Sequence, residues 1–256
     1  MGIITKSERE IAVMRQAGKI VATVLNILKM QVTAGMKTRE LDIIAERELK
    51  KLGARSSFKG YRGFPANLCV SINDEIVHGI PGDKVVCEGD IVSLDFGVIY
   101  KDFQGDSART VGVGGISQEA RKLIETTEGA LKAGIAAAIA GARLGDISAA
   151  IEQYAESRGY SVVREYTGHG IGRVMHEDPQ VPNTTRSVLG LMQGTGPLLK
   201  KGMTLALEPM VNIGGWETKI DNNRWTVRTM DGSLSAHCED TIAITNGEPE
   251  ILTRDD

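Results

Sequence analysis

One order of helices, strands and acids occurs twice along this chain of 256 residues, and few folds can accommodate that. Ser7-x-x-Glu10 has the form of a capping box, and Ile11, Met14, Val21, Leu25 and Leu28 follow it at helical spacing. VTAGMKTREL then leads into a second helical run through Leu41, Ile44, Ala45 and Leu49, which stops near Gly53. After Ser117 a long run through Leu123, Ile124, Ala130 and Leu131 repeats the first helix. AGARLGDIS repeats the turn, and a shorter helix through Ile151 and Tyr154 stops near Gly159. The strands match as well: Gly89 to Asp95 (GDIVSLD) aligns with Gly202 to Glu208 (GMTLALE), each acid six residues after its glycine. His78 in VHGIP corresponds to His176 in MHEDP, and Asp106 before SARTVGV to Glu239 before DTIAI. Any one of these matches is ordinary. The ordered set predicts a duplicated α+β fold with pseudo-twofold symmetry, its antiparallel sheet flanked by two helix pairs. No flexible tract divides the halves, so 1–256 is expected to form one domain, with half-repeats near 1–112 and 113–256. NTTRSVLGLMQGTGP reads as a surface loop.

Composition narrows the function classes. The chain is 41% apolar and 25% charged with net charge −3, so no dominant basic face for stable nucleic-acid or anionic-membrane binding is expected. The start MGIITKSERE lacks the apolar stretch of a signal peptide, and Lys6 stands where a myristoylation motif wants Ser or Thr. GIAAAIAGA is too short to span a bilayer. Cys69, Cys87 and Cys238 are scattered, so a disulfide framework is not expected and a reducing cytoplasm is.

The repeat sets carboxylates inside apolar, strand-like runs: Asp95 in IVSLDFGV, Asp106 in FQGDSART, Glu208 in MTLALEPM and Glu239 in AHCEDTIAI. Burying one unpaired carboxylate costs several kcal/mol, so several that converge require cations. If 91–99 and 102–111 form a hairpin turning at Tyr100-Lys101, Asp95 faces Asp106 directly, with Cβ atoms about 4.5–5.5 Å apart. His169 lies between Gly168 and Gly170, which suits a sharp turn presenting an imidazole to a cleft. Each residue has a plain alternative. His169 fits a surface loop, Glu208 before Pro209 fits a solvated strand end, and the Glu239-Asp240 pair fits a solvated face. The five together read as a metal site. An oxygen-rich set with one imidazole suits Mn²⁺, Fe²⁺ or Co²⁺, and admits Zn²⁺. Five donors exceed the needs of one catalytic ion, so two divalent ions and a hydrolytic reaction are expected.

These residues, with NLCVSINDEIVHGIP, GDIVSLDFG, GDSART, GHGIG, HEDPQVP, LEPM and SLSAHCEDT, closely resemble the type I methionine aminopeptidases of peptidase family M24 and the pita-bread (creatinase/aminopeptidase) fold. The resemblance covers essentially the whole chain. It implies that Asp106 and Glu239 bridge two metals, with Asp95 on one and His169 and Glu208 on the other. It also implies that His78 contacts the scissile amide, that His176 stabilises charge on the reacting oxygen, and that Glu208 carries a proton from the attacking water to the leaving amine. An apolar, aromatic methionine pocket is implied at Phe58, Tyr61, Phe64, Cys69 and Trp225; three of the eleven aromatic residues fall within 58–64, a clustering that core packing would also explain. Phe58 departs from the Cys that many bacterial relatives carry, and the segment from His176 to Glu208 runs several residues longer than the compact bacterial pattern. The start at the catalytic domain, without a zinc-finger-like extension or the type II insertion, is nearest the short bacterial form. The implied substrates are nascent polypeptides and peptides with an N-terminal Met before a small residue, which describes this chain's own Met1-Gly2. A cytoplasmic monomer is expected, and transient docking at the ribosomal exit is left open.

Two other readings compete. Xaa-Pro dipeptidases and aminopeptidases share the ligand set but carry an N-terminal domain, for which His78 and Asp95 come too early. A non-catalytic binding module of the same fold usually has substituted ligands, whereas all five acids and imidazoles and both flanking histidines are present here.

Overall fold

The computed structural model describes residues 2–187 and 190–254. The capping box forms as expected: Ser7 accepts from the Glu10 N–H, Glu10 accepts from the Ser7 N–H, and α1 spans Glu8–Gln31. Helix α2 (Thr38–Leu52) ends at Gly53, whose φ of +64° closes the helix in a conformation that costs glycine little. The second copy is α3 (Gln118–Ala137), capped by Ser117, and α4 (Leu144–Glu156). The duplication reaches the level of single hydrogen bonds. Glu40 accepts from the Lys37 N–H ahead of α2, and Asp146 accepts from the Arg143 N–H ahead of α4. The same two residues form matching isolated bridges, Lys37 with Val85 and Arg143 with Leu198.

In the first half the strands are β1 (Arg55–Ser56), β2 (Cys69–Ile72), β3 (Glu75–Val77), β4 (Ile91–Tyr100) and β5 (Phe103–Gly112). In the second they are β6 (Ser161–Val162), β7 (Thr167–Gly170), β8 (Glu177–Pro182), β9 (Thr204–Leu207), β10 (Met210–Asn212), β11 (Thr218–Ile220), β12 (Val227–Thr229), β13 (Ser235–His237), β14 (Glu239–Ala243) and β15 (Glu250–Ile251). One antiparallel nine-stranded sheet runs through both halves in the order β1-β4-β5-β14-β9-β7-β8, with β2 beside β4 and β15 beside β14. The pseudo-twofold therefore passes between β5 and β14, relating the pair β4·β5 to the pair β9·β14.

Strand alternation sorts the two faces of this sheet. Leu94, Phe96 and Val98 turn toward α1 and α2, where they join Val21, Leu25, Leu28 and Leu41 in one buried cluster. Leu205, Leu207 and Ile242 do the same beneath α3 and α4. Helix α1 has an 18-residue stretch of mean hydropathy 1.4, sufficient in length and composition for a membrane span. Its Met14, Val21 and Leu28 are fully buried in this core, so the apolarity belongs to packing. Cys69 and Cys238 are buried, Cys87 is exposed, and all three are free.

The hairpin register differs from the expectation. Tyr100 pairs with Phe103, and the turn is Lys101-Asp102, with φ of +46° and +65°. Two consecutive left-handed residues make the tight turn that matches strand twist, and Asp tolerates that region better than Tyr does. Asp95 consequently pairs with Ala108 and Asp106 with Gly97. The shift is two residues, so both acids keep the same face and become diagonal neighbours.

Of the segment read as a surface loop, residues 183–187 and 190–197 are described and form no strand or helix, while Val188 and Leu189 lie outside the described residues. Its start is not at the surface: Asn183 and Thr184 are buried, and Thr184 donates to Glu152 at 2.6 Å.

Candidate metal centre

Reading across the helix-free face of the sheet, Asp95 pairs with Ala108 on β5, and Ala108 with Glu239 on β14. On the same face Thr241 pairs with Ala206 on β9, and Ala206 with His169 on β7. Asp106 stands two residues before Ala108, and Glu208 two residues after Ala206. All five predicted donors thus project from one side of β4, β5, β14 and β7 and from the end of β9, which lies between β14 and β7, with Gly97, Ala108 and Ala206 keeping the space between them open. A Cβ on Gly97 would lie 2.8 Å from Phe58 and 3.1 Å from an Asp106 carboxylate oxygen. The missing side chain there makes room for both.

The electrostatics are those of a site built for cations. Asp95, Asp106, His169 and Glu239 are at most 8% exposed. Donor atoms of Asp106, His169 and Glu239 lie within 4.8 Å of one another, and His169 Nε2 lies 3.7 Å from Glu208 Oε1. Asp95 Oδ1, Asp106 Oδ1 and Glu239 Oε1 are buried with no hydrogen-bond partner. Burial pushes the Asp95 carboxyl up to about 7. It pushes Asp106, Glu208 and Glu239 well above the usual carboxylate range, with the neighbouring carboxylates adding to the effect. Buried acids crowded together, with no Lys or Arg among them and with oxygens left unpaired, hold protons for want of a cation, and this donor set fits a divalent-cation site.

His169 is set for ligation. Its Nδ1 lies 2.9 Å from the Gly170 carbonyl, so Nδ1–H donates there and the Nε2 lone pair faces the acids. Burial, reinforced by His176, lowers its pKa to about 3 and keeps the ring neutral. The flanking glycines serve a purpose other than the expected sharp turn. His169 is within β7, and Cβ atoms on Gly168 and Gly170 would fall 2.4 Å and 2.3 Å from the carbonyl oxygens of Ala206 and Asp178. They permit close approach of the neighbouring backbone. Glu239 and Asp240 do not form a solvated face either. Alternation sends Glu239 into the site and Asp240 to the opposite side, where Arg109 Nη2 meets it at 2.6 Å.

A cavity of about 160 Å³ joins these acids to Phe58, Tyr61, Phe64, Cys69, His78, His176 and Trp225, so every predicted site residue lines one space. Phe64 meets Trp225 edge-on at 5.1 Å and Phe58 at 6.4 Å, an arrangement that fixes an apolar end of the cavity. Tyr61 Oη lies 2.8 Å from His176 Nδ1. His78 has φ of +60° after β3 and a pKa lowered by burial to about 4. The Glu208-Pro209 step ends β9 before β10 enters a second sheet, which leaves the Glu208 carboxylate at the junction.

Three residues of the site were not anticipated. Arg62 and Met175 line the cavity. His237 is 2% exposed, with Nε2 at 4.0 Å from both Glu208 Oε2 and Glu239 Oε2, and neither ring nitrogen has a hydrogen-bond partner. Its position two residues before Glu239, on the same side of an extended segment, was a usable signal.

Comparison with known proteins agrees with this geometry. Residues 12–246 match the model of metallopeptidase family M24. A methionine aminopeptidase of Clostridium acetobutylicum is 53% identical, with 98% of each chain covered. Methionine aminopeptidase 1 of Bacillus subtilis is 50% identical over 98% of this chain and 99% of its own. The crystal structure of methionine aminopeptidase from Thermotoga maritima superposes with TM-score 0.95 at 42% identity, covering 99% of this chain and all of that one. A prolidase from Pyrococcus furiosus shares the fold at TM-score 0.79 and 23% identity, but this chain covers only 66% of it. With the pita-bread fold, the buried acids and full-length likeness in agreement, the chain belongs to the methionine aminopeptidases of metallopeptidase family M24.

Proposed function

We propose that this chain removes the initiator methionine from nascent polypeptides in the cytoplasm, using two divalent ions held by Asp95, Asp106, His169, Glu208 and Glu239. The observation that carries this reading is the single cavity that joins four buried carboxyls and His169 to an apolar aromatic pocket. Asp106 and Glu239 lie between the other donors and would bridge; Asp95 would complete one ion, and His169 with Glu208 the other. Divalent ions there would polarise the reacting carbonyl and acidify the attacking water. Co²⁺, Mn²⁺, Fe²⁺ and Zn²⁺ all suit this donor set.

The remaining chemistry falls to side chains. Phe58, Phe64, Cys69, Met175 and Trp225 surround a thioether and exclude water from the first residue. Glu208, at the strand end nearest the histidines, would take the proton of the attacking water and return it to the leaving amine. With Tyr61 donating to Nδ1, neutral His176 keeps its proton on Nε2 and can donate to the oxygen on which charge develops. His78, also neutral, would hold the scissile amide. Removing the Tyr61 hydroxyl should therefore act through His176: Tyr61→Phe is expected to lower kcat by about tenfold with little change in KM, a loss of a net hydrogen bond of about 1–1.5 kcal/mol. An unchanged kcat would remove this role.

The direct test is peptide cleavage by chelator-treated, metal-reloaded protein. Met release from Met-Gly-Met is expected to return with metal, and Ala-Pro cleavage to stay at background. Equal or better turnover of Ala-Pro would transfer the assignment to the proline-specific branch. Absence of metal-dependent release from both would favour a binding module.

A further inference from the structure

A second cavity, about 630 Å³, lies on the other side of His169 and His176, which line both spaces. Its walls carry Ile4, Leu144, Val174, Pro179, Leu191 and Pro197. Of these, Ile4 and Val174 are 48% and 52% exposed. Exposed apolar side chains gathered around one groove mark a binding surface, whereas the same residues scattered singly would mark nothing. Leu191 and Pro197 belong to the segment between β8 and β9. That segment is fastened to the start of α4. Leu144 N–H donates to Pro197, Gly145 N–H to Thr195, and Gly194 N–H to Asp146. A Cβ on Gly145 would fall 2.0 Å from the Met192 carbonyl oxygen, so the contact depends on glycine. A wall fixed in this way is ordered before any ligand arrives, which lowers the cost of binding.

The floor is β8, which ends the nine-stranded sheet and is paired only with β7 among the described residues. We infer that this groove binds the substrate polypeptide beyond the cleaved bond, and selects apolar side chains at its third and later residues. The inference rests on the aminopeptidase reading. Continuity with the reaction site supports it: the 160 Å³ cavity accommodates one side chain, and His169 and His176 line both that cavity and the groove. An extended segment beside an edge strand is a familiar way to hold a peptide.

The test compares Met-Gly-Gly-Gly-Gly with Met-Gly-Leu-Phe-Leu on metal-loaded protein. Partial burial of one or two apolar side chains should favour the second by about tenfold, mainly in KM. Leu191→Asp and Val174→Asp, on different elements, should each bring that ratio below about threefold, while Ile220→Asp, outside the groove, should preserve it. No preference in the parent protein, or an equal loss on both peptides in the two groove variants, would overturn the inference. So would a dimer abolished by Leu191→Asp with the peptide ratio unchanged, since a second copy would then be the occupant. Failure of the parent protein to cleave a Met-Gly-Gly control would instead overturn the aminopeptidase reading.

Discussion

Asp106→Asn should lower kcat/KM for a Met-Gly-Met peptide by about 10³-fold while leaving the fold intact. The magnitude follows from what bound divalent ions contribute to transition-state charge, several kcal/mol, at about 1.4 kcal/mol per decade. Asn keeps the volume of Asp and the backbone bonds of residue 106 to Thr241, so β5 and β14 should remain paired. A second signature separates lost metal bridging from damage to the fold. Asp106 is crowded by Asp95 and Glu208, which push its carboxyl well above the usual range after burial has already done so. Removing that charge relieves repulsion, so the metal-free variant should melt higher than the metal-free parent at pH 8, and gain less from added metal. A correctly folded variant with near-parental activity would rule out the bridging role.

Metal removal should change how stability depends on pH as well as abolishing turnover. In the metal-free fold Asp95 titrates near 7, and Asp106, Glu208 and Glu239 titrate well above the usual range. Unfolded carboxyls titrate near 4, so above that pH the folded chain holds more protons than the unfolded one, and stability falls as pH rises. The buried histidines act oppositely. His78, with a pKa near 4, and His169 and His237, near 3, stay neutral in the fold. Their unfolded forms take up protons below about pH 6.5, so they destabilise the fold as pH falls through that value. Between about pH 4 and 6.5 the two groups oppose each other. Above pH 6.5 only the acids remain, and the metal-free protein should lose about 1.4 kcal/mol per pH unit for each proton released on unfolding. Bound metal replaces those protons and should flatten the curve. At a hundredfold excess over Kd it adds about 2.7 kcal/mol, or roughly 5–10 °C in Tm for a chain of this length. Melting curves with and without metal from pH 6.5 to 8.5 measure this directly. Identical slopes would mean that the acids are neutralised by something other than metal.

Much of this was legible in the sequence because the relevant rules are local. A capping box, a helix-ending glycine and a carboxylate six residues after a turn are set by neighbours in sequence, so their repetition disclosed the duplicated sheet and four of the five donors. The misread features all depended on partners distant in sequence or on turn conformation. The hairpin shifted two residues because Lys101 and Asp102 take left-handed φ values, and strand alternation preserved the face of both acids despite the error. Gly168 and Gly170 resembled a flexible turn, but their reason lies in carbonyl groups of β9 and β8 that no local pattern reveals. Asp240 resembled half of a solvated pair until Arg109, 131 positions away, was brought against it.

By itself, the sequence determined which side chains would share a face of the sheet, because alternation and repetition are properties of the chain. Only the tertiary structure decided the remainder. It placed His237 against the acids, lined their cavity with Met175, and anchored residues 194–197 to the start of α4. Those outcomes depend on close packing between segments far apart in sequence, where fit between surfaces decides the contact and no periodicity records it.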